Sequence, residues 1–173
     1  MAVTLEMVKS LRETSGAGVM ACKRALEKAE SEGLDGDALV KRAIQILEEE
    51  GAEKMARRQD RETSQGVIHA YVHGGRIGAM VEINCETDFV ARNESFQKLA
   101  HEVAMQIAAM DPQYIDPSEV PPDQQARAQE LALLAQPYIR DNTRTIADLV
   151  AEVSRTTGEV VRIRRFVRYE LGR

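Results

Sequence analysis

The sequence predicts an α+β protein in two parts: a small helical bundle, then an antiparallel sheet with helices packed on it. Three observations carry this reading. Residues 4–50 hold three apolar stripes at helical spacing. Residues 66–85 switch to alternation on either side of a Gly-Gly pair, and the closing segment VVRIRRFVRYEL alternates again.

The chain of 173 residues suffices for one ordinary domain or two small ones. Hydrophobic residues make up 43%, enough for a core, and there is no Trp and only three Phe. Cores must therefore rest on aliphatic side chains, with few aromatic platforms on which bases could stack. The net charge of −5 argues against broad binding to nucleic-acid phosphates. No apolar run approaches the roughly 18 residues of a membrane-crossing helix, and Met1 to Ser10 lacks the apolar core of an export signal. The expected location is the cytoplasm.

Helices are predicted over 4–13, 18–31 and 37–50. In the first, Leu5, Val8 and Leu11 recur on one face; Ser15-Gly16-Ala17-Gly18 then breaks the pattern. The second carries Val19, Cys22, Leu26 and Ala29, and Gly33 closes it. Asp35 or Asp37 is placed to cap the third, whose face is Leu39, Val40, Ala43, Ile44 and Leu47. Residues 1–51 thus form one small domain. Residues 52–65 crowd Lys54, Arg57, Arg58 and Arg61 into a segment with few apolar side chains, which reads as a solvated linker, with a basic contact strip as the alternative.

Residues 66–173 form the second domain. Ile68, Ala70 and Val72 alternate with His69, Tyr71 and His73; beyond Gly74-Gly75, Ile77, Ala79, Val81, Ile83 and Cys85 share one face. Two such runs joined by Gly-Gly read as a hairpin whose turn needs positive φ. A long helix follows from Glu94 to Met110, with Phe96, Leu99, Ala100, Val103, Ile107 and Met110 on one side. Pro117, Pro121 and Pro122 predict an extended connection over 114–123. Helices are expected over 123–134 and 146–156. The last segment is a third strand, with Val161, Ile163, Val167, Tyr169 and Leu171 on one face and Arg162, Arg164, Arg168 and Glu170 outside. A hairpin alone is barely stable in water, so this strand is expected to pair with it.

Catalytic constellations are not apparent. SGAGVMACK lacks the spacing of a phosphate loop, and HGGRIG sits within a hairpin. His69 and His73 read as exposed strand residues, and no Ser or Cys stands in an elbow-like context. Cys22 and Cys85 read as two free, buried thiols, and the His and Cys spacings offer no metal site. No cofactor is implied, and binding is the expected class of function. The arginines of the closing strand support a rival reading as a nucleic-acid module, against which the acidic total weighs.

The informative stretch is Glu86-Thr87-Asp88-Phe89-Val90-Ala91-Arg92-Asn93, at the exit of the hairpin. Thr87 or Asp88 is placed to cap a short turn. On chemistry alone, Phe89 reads as a core residue between hairpin and helix.

Two long segments are similar to the signatures of one family, the elongation factor Ts proteins. Val8 to Leu26 (VKSLRETSGAGVMACKRAL) resembles its amino-terminal signature, and Gly75 to Arg92 (GRIGAMVEINCETDFVAR) resembles its second. The resemblance covers nearly the whole chain. It implies a ubiquitin-associated-like three-helix domain followed by a dimerisation-type α+β core. It implies a guanine nucleotide exchange factor, not an enzyme, acting on elongation factor Tu in its GDP-bound and nucleotide-free forms. By position, Leu11, Val19 and Met20 would dock on that GTPase. Thr87, Asp88, Phe89 and Val90 would form a wedge beside its magnesium site, which reverses the core reading of Phe89. Short forms of the family are homodimers, which makes the late strand and the outer hairpin face candidate contact surfaces. Neither membrane nor direct nucleic-acid binding is implied.

Overall fold

The computed structural model describes residues 3–56 and 60–173. The chain divides into two compact units, residues 1–60 and 61–173.

The first unit holds α1 (Leu5–Ser15), α2 (Val19–Ser31) and α3 (Gly36–Ala56). The Thr4 hydroxyl accepts from the Met7 N–H and starts α1, and Gly16, at φ 66°, ends it in the left-handed region. Val8, Leu11, Cys22, Ala25, Leu26, Ala29, Leu39, Ala43 and Ile46 form the core. The expected stripe on α3 is corrected in two places: Ile46 is buried, while Val40 lies at the surface. The helix also outruns its expected end at residue 50. Gly51 costs an interior turn only about 1 kcal/mol, too little to stop helix formation when Ala52, Glu53 and Lys54 follow. Of the basic strip, Arg57, Arg58 and the Lys54 side chain lie outside the described residues.

The second unit is built on a three-stranded antiparallel sheet, ordered β1 (Gln65–His73), β2 (Ile77–Cys85), β5 (Arg162–Glu170). The late strand does pair with the hairpin. Gly74 and Gly75 both take positive φ, and the Arg76 N–H donates to the His73 carbonyl. Between β2 and β5 lie α4 (Asp88–Ala91), α5 (Glu94–Met110), α6 (Ala128–Leu131), a second small hairpin of β3 (Pro137–Tyr138) and β4 (Asp141–Thr145), and α7 (Ile146–Thr157). Helix α5 packs across β1 and β2 and against α7. Phe96, Leu99, Val103 and Ile107 meet Val81, Ile83 and Cys85 in the core; Met110, expected on that face, is exposed.

Three sequence expectations are corrected here. The inner face of β1 is Val67, His69 and Tyr71, not Ile68, Ala70 and Val72. Pairing sets this: Val67, His69 and Tyr71 lie opposite the buried Ile83, Val81 and Ala79 of β2. In β5 the register against β2 shifts at Arg164, which has no Cα partner there. One extra residue inverts side-chain parity. Val161 and Ile163 therefore point to the core, whereas Arg165, Val167, Tyr169 and Leu171 fall on the outer side. Arg168 and Glu170 are on the helix side, not in an outer charged row.

The third correction concerns residues 114–135, which form neither an extended connection nor one helix. They fold as 3₁₀ turns at Pro117–Glu119, Pro122–Arg127 and Leu133–Ala135 around the short α6. The chain is stitched elsewhere. The Leu131 carbonyl accepts from the Gln113 and Tyr114 N–H groups, and the Leu133 N–H donates to the Tyr114 carbonyl. A buried amide pair secures this region to α5. Gln106 donates through Nε2 to Gln136 Oε1 and to the Pro137 carbonyl, and accepts from the Ile139 N–H. Helix α7 follows expectation, with a Thr145–Asp148 capping box and Gly158 at its end.

Candidate functional site

The segment 86–93 is a rigid turn that leaves one aromatic ring in solvent. Strand β2 ends at Cys85, whose side chain is buried and donates to the Thr87 carbonyl. Thr87 has extended backbone and caps α4, its hydroxyl accepting from the Val90 N–H. Asp88 occupies the first turn and pairs with Arg92 at 3.1 Å. Val90 and Ala91 face inward and join the core beneath the sheet. Asn93 then caps α5 through the Ser95 N–H. Alternating anchors of this kind fix the one residue they do not hold. Phe89 is 83% exposed.

This excludes the reading of Phe89 as a core residue. A Phe side chain offers about 150–250 Å² of surface, and transferring most of it out of water is worth about 2–3 kcal/mol. The chain itself leaves that gain unused. Val90 differs from the other three: it is buried, so it supports the turn from below and does not project from it.

A second apolar surface lies in the first unit. The left-handed Gly16 lets the chain turn through Ala17 to Gly18, the N-cap of α2. Val19 and Met20 therefore stand in the first turn of α2, 46% and 61% exposed. Leu11 does not join them. At 2% exposure it is packed with Val8, Cys22 and Leu26 inside the bundle, and no partner can reach it while the helices stay together. The structure thus places Leu11 beneath this surface and not on it, where it supports the surface from within. Leu5, one helix away, is 78% exposed although it lies on the apolar stripe of α1.

The outer face of the sheet is the third apolar surface. Ile68, Val72, Met80, Val167 and Tyr169 are all exposed there. Cross-strand rows run Ala70–Met80–Val167 and Val72–Gly78–Tyr169, beside the charged row Ile68–Glu82–Arg165. Arg165 donates to Glu82 at 2.6 Å and Arg164 lies 3.8 Å away, and the bond from Arg165 is the main reason the Glu82 carboxyl titrates below its usual range. Arg168 is bound on the other side, to the Ala108 carbonyl, Asp111 and Glu170. Arg168 is therefore separated from Arg162, Arg164 and Arg165, which stay exposed, and the four arginines form no continuous basic row.

Of the β1 histidines, His73 is exposed as expected, whereas His69 is half-buried. His69 Nε2 lies 3.2 Å from His101 Nδ1, and His73 Nδ1 lies 3.0 Å from the Tyr71 hydroxyl. Partial burial, then the neighbouring His101, lower the pKa of His69. Among the described residues, no three His, Cys, Asp or Glu side chains are placed to hold a metal ion. Nor is any helix among them long and apolar enough to cross a membrane.

Comparison with known proteins places this arrangement in context. The family model described as Elongation factor TS matches residues 6–131. The chain is 44% identical to Elongation factor Ts of Nitratidesulfovibrio vulgaris (strain DSM 19637 / Miyazaki F), over 99% of this chain and 98% of that protein. It is 42% identical to Elongation factor Ts of Carboxydothermus hydrogenoformans, over 98% and 89%. Against Elongation factor Ts of Coprothermobacter proteolyticus the identity is 38%, over 99% and 100%.

Proposed function

The chain belongs to the elongation factor Ts family, and on that premise we propose that it is a guanine nucleotide exchange factor for elongation factor Tu. The observation that supports this most directly is the solvent-facing ring of Phe89 on a turn fixed on every other side.

GTPases of this kind hold GDP largely through phosphate contacts and a bridging Mg²⁺. A rigid aromatic wedge, with the Asp88 carboxylate beside it, displaces the partner elements that hold the metal and phosphates. Val19 and Met20 supply docking energy from the first unit, which we assign as a ubiquitin-associated-like domain over residues 1–51, joined by residues 52–65 to the core over 66–173. That energy offsets the strain at the nucleotide site. The coupling is reciprocal: whatever factor the protein takes from GDP affinity, GDP takes from the protein's own. Nucleotide at cellular excess then releases the factor, and no covalent step is needed. The working location is the cytoplasm.

The outer sheet face completes the proposal. Its apolar rows suit a second copy of the same face, and the working form is a homodimer joined through β1, β2 and β5.

The test measures release of fluorescent GDP from elongation factor Tu over a range of concentrations of this protein. Asp88→Ala and Phe89→Ala are expected to lose acceleration more than binding, because they act at the strained site. Met20→Ala is expected to raise the half-saturating concentration at a nearly unchanged maximal rate. Equal behaviour of all three variants and the parent overturns the assignment.

A further inference from the structure

The turn that carries Phe89 is gripped by a side chain from a distant part of the sequence. Glu159 lies in the short connection between α7 and β5, next to the left-handed Gly158. Its Oε2 accepts from the backbone N–H groups of Glu86 at 3.1 Å and Thr87 at 3.0 Å. Its Oε1 accepts from the Thr87 hydroxyl at 2.6 Å. The contact is returned, because Glu86 Oε1 accepts from the Val160 N–H at 2.9 Å. Two loops thus exchange carboxylates, each bonding to the other's backbone.

We infer that Glu159 is a positioning residue for nucleotide release, holding the Thr87-Asp88-Phe89 turn in the geometry in which its ring can act. This rests on the exchange function proposed above. The reasoning is one of preorganisation. A wedge that must be ordered on binding spends part of its interaction energy on that ordering, whereas a turn ordered beforehand does not. Charge-assisted bonds are the strong ones, and three converge here on one carboxylate. The hydroxyl of Thr87 explains the pairing. It gives its single proton to Glu159 and keeps a lone pair for the Val90 N–H, so clamp and cap work through the same oxygen. The remaining anchors, the Cys85 thiol and the buried Val90 and Ala91, do not pass through Glu159. Loss of the carboxylate therefore loosens the turn without dismantling the core.

The experiment compares Glu159→Ala, Glu159→Gln, Phe89→Ala and the double variant Glu159→Ala/Phe89→Ala in the full-length chain. It records the maximal rate of fluorescent GDP release from elongation factor Tu, the half-saturating concentration and the thermal midpoint. Glu159→Ala is expected to lower the maximal rate about tenfold, and to move half-saturation less than about threefold. Glu159→Gln keeps the size of the side chain but only one accepting oxygen, so its rate should fall between. In the Phe89→Ala background, Glu159→Ala should cost clearly less than it does in the parent, because most of its effect is exerted through that ring. A purely structural role would lower the rate in both backgrounds alike, and multiplying losses would overturn the inference. So would a parental maximal rate in Glu159→Ala when Phe89→Ala is impaired. If the parent chain does not accelerate GDP release, the exchange reading fails, and this inference with it; if it does and Phe89→Ala releases GDP like the parent, this inference alone is overturned, because it acts through that ring. Should Glu159→Ala not fold, the nearly isosteric Glu159→Gln decides by the same criteria.

Discussion

The Cys85 thiol donates to the Thr87 carbonyl at 3.2 Å, tying the last residue of a core strand to the cap of the exposed turn. Burial first, and the Glu159 carboxylate second, push this thiol from its ordinary 9.0 up to about 11. The unfolded chain therefore loses the proton at lower pH than the folded one. The stabilisation is fully present below about pH 9 and fades as pH rises towards 11. The difference amounts to on the order of 2 kcal/mol. Urea unfolding of the parent should show this loss between pH 9 and 11, and Cys85→Ala should show it least. At neutral pH the native protein should carry no fast-reacting thiol, since Cys22 is buried as well.

Gly66 tests the register of the sheet. It sits at φ 155°, and a Cβ there would lie 2.1 Å from the Ile83 carbonyl oxygen and 2.8 Å from Asn84 Cα. Both are backbone atoms of the neighbouring strand and cannot swing away. Gly66→Ala is expected to cost more than about 3 kcal/mol or to detach the start of β1. Urea denaturation gives the first quantity, and amide exchange at Val67 and Ile83 gives the second.

Arg168 was expected in a solvated row, and the bulge at Arg164 places it beneath the sheet instead. Its side chain is 12% exposed and binds the Ala108 carbonyl at 3.1 Å and Glu170 at 2.9 Å. Arg168→Ala takes that donor from the Ala108 carbonyl, leaves Glu170 to the longer contact from Arg173 at 3.5 Å, and should destabilise by about 2–3 kcal/mol. Arg164→Ala, at an exposed bulge position, should change stability by less than about 0.5 kcal/mol. Urea titrations of the two variants decide; equal losses would mean that parity does not switch at Arg164.

This contrast shows where the sequence was legible. Alternation from Ile77 to Cys85 gave the buried face of β2 outright, because a central strand pairs on both sides and has no freedom to slip. The Gly74-Gly75 turn and the helix Glu94–Met110 were readable for the same local reason. β5 was readable as a strand but not as to its faces, since one unpaired residue inverts every side chain after it. The inner face of β1 was decided by its partner rather than by its own hydrophobicity, which favours Ile68 and Val72. Residues 123–134 carry helix-forming side chains, yet the Leu131 carbonyl is claimed by the Gln113 and Tyr114 N–H groups, and the Leu133 and Leu134 N–H groups donate to the Tyr114 and Ile115 carbonyls. At the candidate site, sequence chemistry alone would have buried Phe89. Glu159 was invisible, because its partners lie 72 and 73 residues away.

The outer sheet face yields a prediction on assembly. Val167 and Met80 lie opposite each other at the middle of the exposed apolar rows. Val167→Glu places a charge where a second sheet would exclude water, at a cost of several kcal/mol to association. Sedimentation should find a dimer for the parent and a monomer for the variant at equal concentration, with the monomer's helix content unchanged. A parent that stays monomeric at the highest concentrations would assign this face to another partner.

Leu11 and Met20 separate support from contact within the first unit. Leu11 is enclosed by Val8, Cys22 and Leu26, so Leu11→Ala removes buried atoms and leaves a cavity, costing about 2–5 kcal/mol. In a bundle of this size, that is a large part of the whole stability. Met20 projects into solvent, and Met20→Ala should change stability by less than about 0.5 kcal/mol. Binding to elongation factor Tu should reverse the ranking. Met20→Ala should weaken it at every temperature at which the protein is folded, because the contact itself is gone. Leu11→Ala should weaken it only as the bundle melts, and cooling should restore the parental affinity. Titration calorimetry at two temperatures, alongside a melting curve followed by circular dichroism, distinguishes the two. A temperature-independent loss for Leu11→Ala would mean that the leucine leaves the core on binding.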